Sequence, residues 1–207
     1  MIQNSVFIKK EEIYKDKKSE VENILINKDV KLPDMIFKDA YSNFSFCDFE
    51  YLFSEYFFES LKKYLNKRKQ DHFTFYTLDP DPENYFFKNF GSFNIIDFSE
   101  EEYSSYIKKL SEAPDNNEAD ALIYNSNKII IYAQNLDLVI YGDRNWEIAV
   151  ICLKKENFSE NNLKTFFEND VVSVEEFVKM SSDFYDQLSS KNLELESFYK
   201  KLIDNYN

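Results

Sequence analysis

The stretch from Ala119 to Cys152 constrains the fold most, because it is the part of the chain richest in β-branched and aromatic residues. It contains four short apolar runs separated by turn-forming residues: Ala121–Tyr124, Ile129–Ala133, Leu138–Tyr141 and Trp146–Cys152. Runs of this length between Asn, Ser, Asp and Gly are typical of β-strands. The connections are too short for the crossover that a parallel pair needs, so we expect antiparallel neighbours.

Segments with other periodicities precede this stretch. Apolar residues recur at helical spacing from Phe49 to Leu65, which predicts one helix of about five turns. His72–Leu78 alternates as a strand does, and Asn94–Phe98 is long enough for a short strand.

Two capping boxes predict helix starts, Ser99 with Glu102 and Ser173 with Glu176. A last helix is predicted for Leu193–Tyr206, so the C-terminal part is helical. Strands in the middle with helices before and after them indicate one α+β domain over residues 1–207. We expect a mostly antiparallel sheet, with a central meander at about residues 119–152, covered by helices.

Composition excludes several classes of function. The sequence has only two glycines, so neither a Rossmann fingerprint nor a P-loop can be built from it. A formal net charge of −13 disfavours binding to nucleic acid or to an anionic membrane surface. The first residues lack the apolar core of a signal peptide, and Cys47 and Cys152 stand in apolar surroundings as buried free thiols would. We therefore expect a cytoplasmic protein.

The residues for common catalytic sites are scarce. His72 is the one histidine, so a Cys/His zinc site cannot be assembled, and we expect His72 to be a strand-end residue. Asp79, Asp81 and Glu83 lie within five residues but lack the spacing and the glycine of a calcium loop. We expect no enzyme, cofactor or resident metal, and keep as an alternative a small carboxylate-dependent hydrolase with a metal near these three acids.

Acids and rings concentrate together in residues 79–120, which contain eleven acids and three bases. Rings anchor and carboxylates steer when a surface binds a basic protein. The partner-binding residues predicted in this window are Asp79, Asp81, Glu83, Tyr85, Asp97, Glu100, Glu101 and Glu102. The opposing interpretation is that the rings are core and the acids only solvate helix starts.

The turn from Tyr141 to Trp146 is the second place where we predict partner contacts, at Asp143, Arg144 and Trp146. Gly142 suits a positive φ there, and Asp143 can accept hydrogen bonds from the turn amides. A purely structural interpretation is also open, with an Asp–Arg pair shaping the turn and the sole tryptophan packed below it.

The hairpin pattern of Ile129–Tyr132 followed by Tyr141–Ile151 resembles the sheet core of small acidic bacterial immunity proteins, which neutralise polymorphic or contact-dependent toxins. The resemblance covers about a sixth of the chain. It implies a cytoplasmic, non-catalytic inhibitor that binds its cognate toxin domain by shape and charge. The leading expectation is therefore toxin neutralisation through protein–protein binding, and a structural or adaptor subunit is a further alternative.

Overall fold

The computed structural model describes residues 6–99, 102–114, 117–155, 163–167, 170–186 and 193–207. Six strands form one sheet: β1 Tyr41–Asp48, β2 His72–Asp79, β3 Ile95–Ser99, β4 Lys128–Ala133, β5 Leu138–Asp143 and β6 Ile148–Lys154. The helices are α1 Glu11–Ile24, α2 Glu55–Lys67, α3 Lys88–Phe90, α4 Tyr103–Leu110, α5 Lys164–Phe167, α6 Val174–Asp186 and α7 Leu193–Tyr206. The predicted α+β class, with an antiparallel sheet and a helical C-terminal segment, is confirmed.

The strand order across the sheet is β1-β6-β5-β4-β2-β3, and every neighbouring pair is antiparallel. β4, β5 and β6 form the predicted meander. At one edge Phe46 of β1 exchanges two backbone hydrogen bonds with Val172, of 2.8 and 3.0 Å. At the other edge Ile8 donates its amide N–H to Ile95 of β3 at 3.2 Å. Each outer strand is thus met by a short segment of the same chain, which limits edge-to-edge association.

Helices cover both faces of the sheet. Ile129 and Ile131 of β4 point into a core shared with α2, α4 and α5. Ile130 and Tyr132 point to the opposite core, which α1, α6 and α7 enclose. Because both faces are buried, the central strands are continuous apolar runs instead of alternating ones.

The helix predicted from Phe49 to Leu65 is interrupted at Ser54. Phe49–Phe53 forms a 3₁₀ turn, and the Ser54 hydroxyl then accepts the Phe57 amide N–H at 3.1 Å as the N-cap of α2. Serine favours a helix cap over a helix interior because its hydroxyl can satisfy an unpaired amide at the helix start. The apolar spacing continues across the break, so periodicity alone predicts one helix.

The run Ala121–Tyr124 is a turn and not the predicted strand. It follows a 3₁₀ turn at Glu118–Asp120, and the Ala121 carbonyl accepts the amide N–H groups of Tyr124 and Asn125 at 3.0 and 2.8 Å. The preceding Asp120 carboxylate accepts Asn125 Nδ2 at 3.1 Å. These local bonds fold the run back on itself, so its buried apolar side chains reach the core without joining the sheet.

One of the two predicted capping boxes is present. The Ser173 amide donates to Glu176 Oε2 at 3.1 Å, and the Glu176 amide donates to the Ser173 hydroxyl at 3.2 Å. The prediction for Ser99 is wrong, because Ser99 is the last residue of β3 and pairs with His72. α4 begins at Tyr103 after Glu102, whose side chain forms no cap hydrogen bond.

Candidate functional site

An apolar groove of about 570 Å³ lies beside the β1 edge of the sheet and is named here the Trp146 groove. The sheet and its adjoining turns contribute Phe46, Cys47, Asp48, Tyr51, Trp146 and Glu147. The C-terminal segment contributes Asp170, Val172, Phe177, Met180, Ser181 and Tyr199. Its volume is within the range of protein ligand sites, and its lining is mostly aromatic and aliphatic.

Two large apolar side chains of the groove are open to solvent. Trp146 is 42% exposed and Met180 is 64% exposed. One face of the indole stacks on Phe198 of α7 with ring centroids 3.9 Å apart, which fixes the indole at the groove wall. Exposed apolar side chains that line one cavity are a feature of interaction sites.

Three exposed carboxylates, Asp48, Glu147 and Asp170, line the same groove. Asp48 Oδ1 accepts the Glu50 amide N–H at 2.7 Å, and Asp170 Oδ2 accepts the Tyr51 hydroxyl at 3.3 Å. Burial raises the pKa of Tyr51, so the phenol stays protonated and donates. Among the described lining residues of this groove there is no Lys or Arg.

A second hollow of about 250 Å³ shares Asp170 with the Trp146 groove. α2 lines it with Glu55, Tyr56, Glu59 and Lys63, and the Tyr56 side chain is 76% exposed. The two cavities adjoin at Asp170, and their linings include two exposed rings, Tyr56 and Trp146, together with five carboxylates. An acidic, aromatic surface therefore exists, but it is built from residues 46–63, 146–147 and 170–199 and not from the predicted window 79–120.

The turn between β5 and β6 places Trp146 in this groove. Asp143 Oδ1 accepts the Asn145 amide N–H at 3.1 Å and so caps the 3₁₀ turn Arg144–Trp146. Glu147 then adopts a left-handed conformation with φ of 55°. Gly142 precedes the turn as a β5 residue without positive φ, so its predicted role as a turn glycine is wrong.

Arg144 points away from the groove. Its guanidinium donates to the carbonyls of Ile123 at 2.8 Å and Ser126 at 3.1 Å, and pairs with Glu50 at 3.1 Å. It also lies 4.8 Å from the centroid of the Phe49 ring. These contacts anchor the turn, which agrees with the structural interpretation of Arg144, although the predicted Asp–Arg partner is replaced by Glu50.

Most of the acids predicted in residues 79–102 are engaged within the fold. Asp81 caps the turn Pro82–Phe87 by accepting the amides of Glu83 and Asn84. Glu83 pairs with Lys18 at 3.0 Å, and Asp97 pairs with Lys17 at 2.8 Å. Glu102 is exposed at the start of α4, whereas Glu100 and Glu101 lie outside the described residues.

The rings of the same window divide between core and surface. Phe86 and Phe93 are each 1% exposed, whereas Tyr85 and Phe87 are 37% and 41% exposed. The Tyr85 hydroxyl donates to the Asp120 carboxylate at 2.9 Å, which ties this ring to a buried acid. Phe86 and Phe93 are thus core residues, whereas Tyr85 and Phe87 remain partly open to solvent.

Asp79 and Asp143 lie at the same end of the sheet, on either side of Lys128. Strand pairing places Asp79 opposite Lys128, and Lys128 opposite Asp143. Asp143 is 1% exposed, and this burial raises the pKa of its carboxyl against the opposing attraction of Lys128. Asp143 is therefore a buried residue beside Lys128 and not the solvent-facing contact predicted for it, whereas Asp79 and Lys128 are partly exposed.

A smaller, polar pocket of about 160 Å³ lies beneath α1. Lys17 Nζ contacts Asp97 at 2.8 Å, Thr74 Oγ1 at 2.9 Å and Glu20 at 3.5 Å, and the Tyr132 hydroxyl donates to Glu20 at 2.8 Å. Burial raises the pKa of Tyr132 and keeps it protonated. The charged groups of this pocket form ion pairs and hydrogen bonds with one another, so we do not take it as the candidate binding site.

The candidate groups for catalysis or metal binding do not converge. In the described part of the chain, no three His, Cys, Asp or Glu side chains are placed to hold a metal ion. His72 is exposed at the first residue of β2, where it contacts Asp71. Cys47 and Cys152 are buried thiols, and burial raises the pKa of both. The described residues therefore provide no activated nucleophile at either cysteine.

Several residues of the Trp146 groove were not predicted from sequence, namely Asp48, Tyr51, Asp170, Met180 and Tyr199. They belong to segments far apart in the chain, and only the fold brings them together. Met180 carries a weak signal, because it stands three residues after Phe177 and so extends the apolar side of α6.

Comparison with known proteins finds no matching family model, no matching curated protein and no matching solved structure. Among the helices that the structure describes, none combines the length and apolar character needed to cross a lipid bilayer.

Proposed function

We propose that the chain is a non-catalytic binding protein whose Trp146 groove takes a basic protein partner, and that this partner is a toxin domain neutralised by the binding. The observation that carries the proposal is the pairing of exposed apolar side chains, Trp146 and Met180, with three carboxylates in one groove. Aromatic residues and Met are enriched at protein interfaces, where they supply the buried contact area.

Charge supports a cationic partner over a neutral one. The groove and the adjoining hollow are lined by one base, Lys63, and by five acids: Asp48, Glu55, Glu59, Glu147 and Asp170. The whole chain, including these acids, has a net charge of −13. This charge accelerates encounter with a positively charged protein and repels nucleic acid. A toxin that acts on nucleic acid has such a positive surface, and a bound acidic protein would cover it.

The carboxylate-dependent hydrolase is the weaker alternative. Two of its three proposed ligands have structural partners, since Asp81 caps a turn and Glu83 pairs with Lys18. A metal site there would require Asp81 and Glu83 to leave these partners. Partner binding at the Trp146 groove requires no such change, because its rings and carboxylates already line the same cavity.

Co-expression with the product of a neighbouring gene, chosen because its expression alone stops cell growth, tests the proposal. The wild-type chain should restore growth of cells that produce the toxin domain, and Trp146→Ser combined with Met180→Lys should not. Tyr124→Ser is the matched control, because Tyr124 is 64% exposed and lies outside the groove. The single variant Met180→Lys is tested as well, because it changes only an exposed side chain and should fold even if the double variant does not.

Thermal melts of each purified variant establish that the fold is retained. Failure of the wild-type chain to rescue growth would reject toxin neutralisation. Full rescue by a folded Met180→Lys chain would reject the Trp146 groove as the binding surface.

A further inference from the structure

The rings and carboxylates of the Trp146 groove are arranged around one space. Tyr51, Trp146, Phe177 and Tyr199 supply aromatic walls, and Asp48, Glu147 and Asp170 supply negative charge. A long cationic side chain fits both components, because its methylene stem packs on rings while its head pairs with carboxylates.

The three carboxylates keep capacity for a further donor. Within the described parts of the chain, Asp48 and Asp170 each accept one hydrogen bond, from the Glu50 amide and the Tyr51 hydroxyl. An ionised carboxylate offers about four acceptor positions, so acceptor positions remain on both. Glu147 is exposed, and its backbone carbonyl, not its side chain, accepts the Phe49 amide at 3.1 Å.

Elsewhere in the chain, Arg144 is held by the same kinds of group, namely aromatic rings and a carboxylate. The Arg144 guanidinium lies 4.8 and 5.6 Å from the ring centroids of Phe49 and Phe53 and pairs with Glu50 at 3.1 Å. Arg144 also donates to two backbone carbonyls, which hold its side chain outside the groove. It therefore does not pair with the described carboxylates of the groove.

We propose that the Trp146 groove binds the guanidinium of an arginine side chain that projects from the partner protein. Arginine suits the site better than lysine because its planar, weakly hydrated head stacks on rings and bonds a carboxylate through two N–H groups. This inference rests on the proposed function, and it specifies the chemical group that the binding surface recognises.

Titration with argininamide tests the inference without the partner. Trp146 is the only tryptophan in the chain and lines the groove, so its fluorescence reports binding there. We expect a saturable change, with a dissociation constant on the order of 1 mM. Citrullinamide has nearly the same shape and the same α-amino group but a neutral side chain, and it should bind at least about tenfold more weakly, because hydrogen bonds between charged groups are stronger than those to a neutral group.

Variants assign the effect to the groove. Glu147→Gln and Asp170→Asn should each weaken argininamide binding several-fold, and Glu12→Gln should leave it unchanged because Glu12 is an exposed acid of α1, outside the groove. Equal affinity for argininamide and citrullinamide, or for argininamide and lysinamide, would overturn the inference, as would unchanged binding in both groove variants.

The two proposals fail separately. Argininamide binding without rescue of toxin-producing cells would reject toxin neutralisation and retain the arginine site. Rescue without argininamide binding would reject the arginine site and retain the binding function.

Discussion

Gly142 permits a close approach between β5 and the 3₁₀ turn that follows β1. A Cβ atom at this position would lie 2.8 Å from Phe49 Cε2, 2.9 Å from Phe49 Cδ2 and 3.0 Å from Ile129 Cγ1. The Phe49 ring is 1% exposed and lies under the Arg144 guanidinium, so it cannot move without disturbing that contact. We predict that Gly142→Ala destabilises the protein through this overlap.

The size of the effect follows from two opposing contributions. Overpacking a core position costs about 1–3 kcal/mol. Replacing glycine by alanine recovers about 0.4–1 kcal/mol by restricting the unfolded chain. The expected loss in the free energy of unfolding is therefore about 1–2 kcal/mol, which lowers Tm by roughly 2–8 °C for a protein of this size.

Urea and thermal denaturation followed by circular dichroism measure this change. Gly91→Ala is the matched control, because Gly91 has φ of 66° and a Cβ atom added there would meet no heavy atom within 4 Å. It should lose about 1 kcal/mol through backbone strain alone, and Gly91→Asn should lose less.

A double-mutant cycle isolates the predicted overlap. If the Phe49 ring is the obstacle, Gly142→Ala and Phe49→Leu together should destabilise by less than the sum of their separate effects. Additive effects, or a Gly142→Ala protein that melts at or above the wild-type temperature, would refute the packing argument.

Three further predictions concern single side chains. Asp137 is 1% exposed and bonds Arg68 Nε at 2.9 Å, so Asp137→Ala should lower the free energy of unfolding by about 3 kcal/mol, measured in urea. Ser54→Ala removes the N-cap of α2 and should cost about 1 kcal/mol in the same assay. The raised pKa of Asp143 means that the folded protein keeps this proton to higher pH than the unfolded chain, despite the nearby Lys128. Its contribution to stability therefore falls as pH rises above the ordinary aspartate pKa of about 3.9, and Asp143→Asn should flatten that fall.

Each of these predictions has a contradicting result. A loss below about 1 kcal/mol for Asp137→Ala would show that the buried pair adds nothing beyond a surface contact. An unchanged Ser54→Ala protein would mean that packing alone fixes the start of α2. A pH profile identical in wild type and Asp143→Asn would place the titrating group elsewhere.

The strands of the sheet could be predicted where an unbroken apolar run in the sequence also pairs with neighbouring strands. The runs at Ile129–Ala133 and Leu138–Tyr141 are strands because both their faces are buried, which an unbroken apolar run indicates. Ala121–Tyr124 has similar composition, but hydrogen bonds to the Ala121 carbonyl turn it back on itself. A run of four residues contains too little information to separate these outcomes.

The candidate site was less predictable because sequence shows where acids are dense but not which acids have partners. Glu83 is neutralised by Lys18, which lies 65 positions earlier, and Asp97 by Lys17. Trp146 was predicted and lies in the groove, whereas Asp48 and Asp170 stand far apart in the sequence. Only long-range packing shows that they share a cavity.

The walls of the Trp146 groove come from strand β1, from the β5–β6 turn and from the C-terminal helices, so the cavity exists only after distant parts of the chain have assembled. A partner that occupies it recognises the finished fold and has no equivalent surface on an unfolded chain. Mass action then couples occupancy to folding, and a bound partner at one hundred times its dissociation constant would add about 2.7 kcal/mol to stability. A complex of this kind would outlast thermal or proteolytic challenge that removes the unbound protein.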